Sequence, residues 1–110
     1  MALFYSKLFE PVVLTTVAVT IYTIPAGQIG RGIVVRFTNT AAGIVNFTAY
    51  AIPSGGAAGA GNTVILNKSI APNDFFDLVI PTLKAGDFIQ ALASAGTSIT
   101  AHFLQGVLQA

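Results

Sequence analysis

The side chains that could do acid–base or metal chemistry in this chain are few: Glu10, Asp74, Asp77, Asp87 and one imidazole, His102. A metal centre asks for three or four such ligands converging, and a Ser–His–Asp relay needs the histidine held by a carboxylate and turned toward a serine. The spacing suggests neither. Asp74 and Asp77 stand three apart around Phe75 and Phe76, so on a strand they point to opposite faces and do not make an acid–base pair. Asp87 follows Gly86 at a turn, where an aspartate ties its side chain to turn backbone. His102 sits in an apolar run and reads as an ordinary strand residue. The stretch SGGAAGAGN, Ser54 to Asn62, lacks both the Lys-Ser/Thr pair of a phosphate loop and a G-x-G-x-x-G before a helix, so it reads as a connector. With no cysteine, disulfides, zinc–thiolate sites and cysteine nucleophiles are excluded. Asn46-Phe47-Thr48 and Asn67-Lys68-Ser69 match a glycosylation acceptor pattern too short to carry weight without a secretory signal. The expectation is a protein that is not an enzyme, with no cofactor and no metal.

The elements that must position these residues are strands. Short β-branched and aromatic runs alternate with turn signals every ~8–12 residues, the pattern of an all-β sandwich or barrel. VVLTTV and TIYTI come first, ended by Pro25-Ala26-Gly27; GIVVRFTNT follows, with Ile33, Val35 and Phe37 on one face. In IVNFTAYAI, Val45, Phe47, Ala49 and Ala51 alternate with Asn46, Thr48, Tyr50 and Ile52. After the Pro53–Thr63 loop come VILNKSI, then DFFDLVI with Phe76, Leu78 and Ile80 inward, then DFIQALAS and SITAHFLQGVLQ. This predicts a single antiparallel β-sandwich, jelly-roll or immunoglobulin-like, of seven to eight strands.

The last two strands are apolar on both faces. With Ile89, Ala91 and Ala93 inward, Phe88 and Leu92 face out. With Ile99, Ala101 and Phe103 inward, Leu104 and Leu108 face out with His102. A sandwich strand ordinarily shows polar residues to water, so an apolar outer face suggests a second subunit.

Composition agrees. Of 110 residues 54% are hydrophobic and 8% charged, against roughly 25% charged in ordinary soluble chains. This is more apolar surface than one small core absorbs. Lys7, Arg31, Arg36, Lys68 and Lys84 are scattered, giving no track for a phosphate backbone and no expected nucleic-acid partner. The opening MALFYSKLFEP does not read as a secretory signal. Residues 11–30 carry four threonines, two prolines and two glycines, which reads as strands and predicts no membrane partner. Residues 1–10 then become an N-terminal arm ahead of a sandwich domain at 11–110. Leu3, Phe4, Tyr5, Leu8 and Phe9 would be covered by another protein surface, and deleting the arm would leave the fold intact. With Phe88, Leu92, Leu104 and Leu108, these are the expected interface residues.

Certain phrases bring a family into view: LTT…TIYTIPAG, VRFTNTAAGIVNFTAYAIPSGG, NTVI…SIAPND and LKAGDFIQALAS. From about Leu14 to Leu108 the chain resembles the small β-sandwich virion proteins of tailed bacteriophages. That resemblance implies a capsid decoration (cement) subunit, or a head-fibre or tail module. Such a protein works by packing, often as a homotrimer, on the major capsid protein or another virion protein. It would reside in the virion after assembly in the host cytoplasm. The competing expectation is a carbohydrate-binding sandwich for host attachment, with Tyr50, Asn46 and Thr48 grouped on one strand face.

Overall fold

The computed structural model describes residues 6–110 in full and Leu3–Phe4 as backbone. Nine strands form among them: β1 Leu3–Phe4, β2 Val12–Val13, β3 Val19–Thr23, β4 Ile29–Asn39, β5 Val45–Ile52, β6 Thr63–Ile70, β7 Phe75–Val79, β8 Phe88–Ala93 and β9 Ile99–Gln109, with one 3-10 turn at Ala60–Asn62. VVLTTV yields a ladder only at Val12–Val13. The Thr15 hydroxyl donates to the Val17 carbonyl (2.9 Å) and accepts the Val17 N–H (3.3 Å), bending the chain away from strand geometry.

Pairing is antiparallel throughout: β2 with β9, β3 with β8, β4 with β7, β5 with β6. This is one long hairpin, β2–β5 running out and β6–β9 running back. It is rolled so that β9 also joins β4 and β8 also joins β5. A front sheet results, ordered β2-β9-β4-β7 with β1 beside the far end of β9, facing a back sheet β3-β8-β5-β6. The eight strands β2–β9 thus form a β-sandwich with jelly-roll strand order rather than the immunoglobulin-like one.

Alternation explains the core. Ile33, Val35 and Phe37 of β4, Leu78 of β7 and Ile99 and Ala101 of β9 meet Phe47 and Ala49 of β5 and Ile89, Ala91 and Ala93 of β8. Phe37 and Phe47 stack across the sandwich with centroids 4.3 Å apart. Burying each such large side chain contributes roughly 1.5–3 kcal/mol. Ile52 faces outward opposite Phe88, as its parity requires, yet is fully buried. The loop after it folds back so far that a β-carbon at Gly56 would lie 3.2 Å from Ile52 Cγ2.

Two bulges reset the front sheet. Opposite Val34–Val35, β9 advances two residues, from Phe103 to Gln105; opposite Gln105–Val107, β4 advances three, from Arg31 to Val34. Each extra residue reverses which face the next side chains take. Gly106 (φ 148°) lies so close to β4 that a β-carbon there would sit 2.9 Å from Ile33 Cα.

Candidate docking face

The outer face of the front sheet is built in rows by the registers of β4. In one row Thr38 stands between Phe75 and Thr100, with Val13 beyond; in the next Arg36 stands between Asp77 and His102; in the third Val34 stands between Val79 and Gln105. Val34 is buried between its neighbours, but Val79 is 68% exposed, Val13 49%, Phe75 48% and Leu104 44%. The two charges in the middle row engage each other. Arg36 Nε donates to Asp77 Oδ1 (2.7 Å) and Nη2 to Oδ2 (2.9 Å), while the guanidinium carbon lies 3.9 Å from the Phe75 ring centroid. The Arg36 hydrogen bonds hold the Asp77 carboxyl below its ordinary pKa, with a smaller contribution from the positive charge and partial desolvation opposing both. The same hydrogen bonds raise Arg36. An apolar surface with one internally matched ion pair suits burial better than one carrying lone charges.

Below one end of this face lies Asn39, fully buried. Its Nδ2 donates to the carbonyls of Gly43 (2.9 Å) and Ile70 (2.9 Å), with a longer contact to Ala71 (3.4 Å), and its Oδ1 accepts the Ala41 N–H (2.9 Å). One side chain thereby holds the β4–β5 and β6–β7 turns in register, which places Phe75 at the start of β7.

Several expected interface residues lie elsewhere. Phe9 is 8% exposed, its ring centroid 5.4 Å from Phe103 and 5.8 Å from Tyr22. It closes the gap between the sheets and belongs to this chain's own core, with Leu8 half-buried against the same cluster. The arm is therefore not wholly free for a neighbour. Leu3 and Phe4 align their backbone with Gln109 and Leu108; Tyr5 lies outside the described residues. Leu108 is 7% exposed because the β9 bulge turns it inward. Phe88 and Leu92 are half-buried on the outer face of the back sheet, whereas Leu104 is on the front. The Ser94–Ser98 connection crosses the sandwich, so the last two strands do not share one oily face.

Tyr50, Asn46 and Thr48 do not present a sugar-binding row either. Thr48 is buried and its hydroxyl accepts the Asn67 N–H (3.0 Å), while Asn46 Oδ1 accepts from the Ser69 hydroxyl (2.8 Å). Asp87 behaves as its turn position suggests, accepting N–H groups from Ser54 (3.0 Å) and Lys84 (2.9 Å). Asp74 Oδ1 accepts the Phe75 N–H (2.8 Å). Among the described residues no three of His, Asp and Glu come together. A groove of about 470 Å³ runs along the β9 bulge between Ser6, Arg31 and Gln105; its walls bring no carboxylate or imidazole together. Sequence reasoning missed Val13, Phe75 and Val79. The signal was present in DFFDLVI, which is apolar on both faces as the last strands are.

Fold and face together define a class, a jelly-roll sandwich whose front sheet exposes Val13, Phe75, Val79 and Leu104 among polar neighbours and a matched Arg36–Asp77 pair. No protein-family model matches the chain, and no curated protein matches it. Among solved structures, that of infectious bursal disease virus Gx strain contains a similar chain, at 16% sequence identity and a TM-score of 0.40. The similarity covers 97% of this chain, which spans 30% of that one. Function has to be argued from the surface itself.

Proposed function

We propose that this chain is a non-enzymatic structural protein of a virus particle, of the capsid decoration type found in tailed bacteriophages. It docks on the major shell protein through the outer face of its front sheet. The observation that carries this reading is that face: Val13, Phe75, Val79 and Leu104 stand open around a matched Arg36–Asp77 pair. Apolar patches of this kind on small proteins are commonly sites of association. Jelly rolls recur in viral shells, a fold-level analogy that favours the reading, and the strand and turn phrases from Leu14 to Leu108 favour the phage type.

The mechanism is packing. Each large apolar side chain covered on docking contributes roughly 1.5–3 kcal/mol gross, offset by the cost of association. Many copies on one shell, each bridging neighbouring shell subunits, would resist its expansion. Quantitative mass spectrometry of purified particles tests this. The chain should be present at a constant copy number through successive density gradients. A chain abundant in infected lysate but washed away from particles would overturn the proposal.

A further inference from the structure

Two sheets have four edges, and among the described residues three are guarded against growth. β6 carries two register shifts and a left-handed Asn67 (φ 47°) next to Lys68. β3 is interrupted at Ile21, between the paired Thr20 and Tyr22. Beyond β9 the N-terminal segment pairs in two-residue pieces, with Pro11 directly before β2. Bulges, prolines and edge lysines are the devices that keep sheets from adding strands. β7 has none of them. It pairs with β4 over Phe75–Val79 without a register shift, its sequence is FFDLV, and its one charge is matched by Arg36.

Its main-chain groups are divided by alternation. The Ile80 N–H donates to the Ile33 carbonyl (2.8 Å) and the Asp74 carbonyl accepts the Asn39 N–H (2.9 Å). Phe76 and Leu78 therefore also turn toward β4, and Phe75, Asp77 and Val79 turn toward the open side.

We propose that two copies of this chain pair antiparallel through β7, with Asp77 on the two-fold axis. That register is self-complementary. The two Asp77 residues exchange N–H and carbonyl groups, and each Val79 N–H meets the partner's Phe75 carbonyl. The donor at the end of this ladder, the Phe75 N–H, is already satisfied by Asp74 Oδ1 (2.8 Å). On the outer face each Phe75 ring lies beside the partner's Val79, a ring against a β-branched side chain on each side of the axis, a favourable cross-strand pairing. The two Asp77 carboxylates are flanked by two Arg36 guanidiniums, so the row across the axis is neutral. Pairing would join the two front sheets into one surface. The inference goes beyond the particle reading and follows from the edge alone, so it stands or falls separately from it.

Sedimentation velocity of the full chain over a dilution series tests it, with amide exchange followed by NMR. The 11.3 kDa species should give way to twice that mass as concentration rises, with Asp77 and Val79 amides becoming protected over the same range. Val79→Lys, at a 68% exposed position, should weaken pairing at least tenfold, while Leu66→Lys on the guarded β6 edge should leave it unchanged. A single-copy mass throughout, a three-copy mass, or a dimer indifferent to Val79→Lys would overturn the proposal. If Val79→Lys unfolds, exchange in the unmodified chain decides: unprotected Asp77 and Val79 amides in the larger species would overturn it.

Discussion

Asn39 and Asp77 show how single residues set the candidate face. Replacing Asn39 by alanine leaves buried carbonyls at Gly43 and Ile70 and the Ala41 N–H without their partner, at roughly 1–3 kcal/mol for each group that stays unsatisfied. Asn39→Ala should lower the urea midpoint by the equivalent of at least about 2 kcal/mol without changing the slope. Asp77 makes a pH-dependent contribution. Its carboxyl has a lowered pKa in the folded chain, so the folded state favours the charged form. That stability is fully present above the ordinary aspartate pKa of about 3.9 and is lost as pH falls through the lower native value. Asp77→Asn should be less stable than the parent at pH 6, with the gap closing below about pH 4 in thermal unfolding. Asp87 was legible in sequence because one of its partners, the Lys84 N–H, is in its own turn, whereas its bond to Ser54, 33 positions away, was not. The Asn39 link to Ile70 and the Arg36–Asp77 pair were not, because they span 31 and 41 positions and no local pattern encodes such distances.

At the scale of elements, the bulged pair β4–β9 and the segment before β2 decide what is surface and what is core. Inward parity was readable through Ile89, Ala91 and Ala93 and through Ile99 and Ala101, because uninterrupted alternation is a local signal. It failed at Leu108, since a bulge between Phe103 and Gln105 is a property of the pairing with β4. Gly106→Ala tests that close approach. An added methyl would meet Ile33 Cγ1 at 2.8 Å and Cα at 2.9 Å, so a loss of about 1–3 kcal/mol from overpacking is expected by chemical denaturation. The opening segment was read from composition as an arm for another protein. Hydrophobicity alone cannot say whose core an aromatic enters, and Phe9 enters this chain's own. Phe9→Ala should cost about 3–5 kcal/mol, and deleting residues 1–10 should destabilise the monomer similarly. A deletion as stable as the full chain would show that Phe9 contributes nothing to the core.

For the whole molecule, the all-β class and strand number follow from periodic runs and turns, whereas the jelly-roll order depends on pairings between strands far apart in the chain. That order separates β8 from β9 and sets β9, β4 and β7 side by side. Part of the apolar excess therefore lies on the front sheet, at Val13, Phe75, Val79 and Leu104, while Val17, Ile44 and Leu66 are exposed elsewhere. The central claim is that this face binds a viral shell. The most direct measurement is the occupancy of purified chain added back to particles assembled without it, comparing the parent with a Val13→Lys, Leu104→Lys double variant. Neither position lies on the β7 edge, and both are exposed, so folding and pairing should survive. Saturable binding of the parent at a constant number of copies per particle, lost in the double variant, is the predicted result. No saturable binding, or equal occupancy by both, would contradict the account.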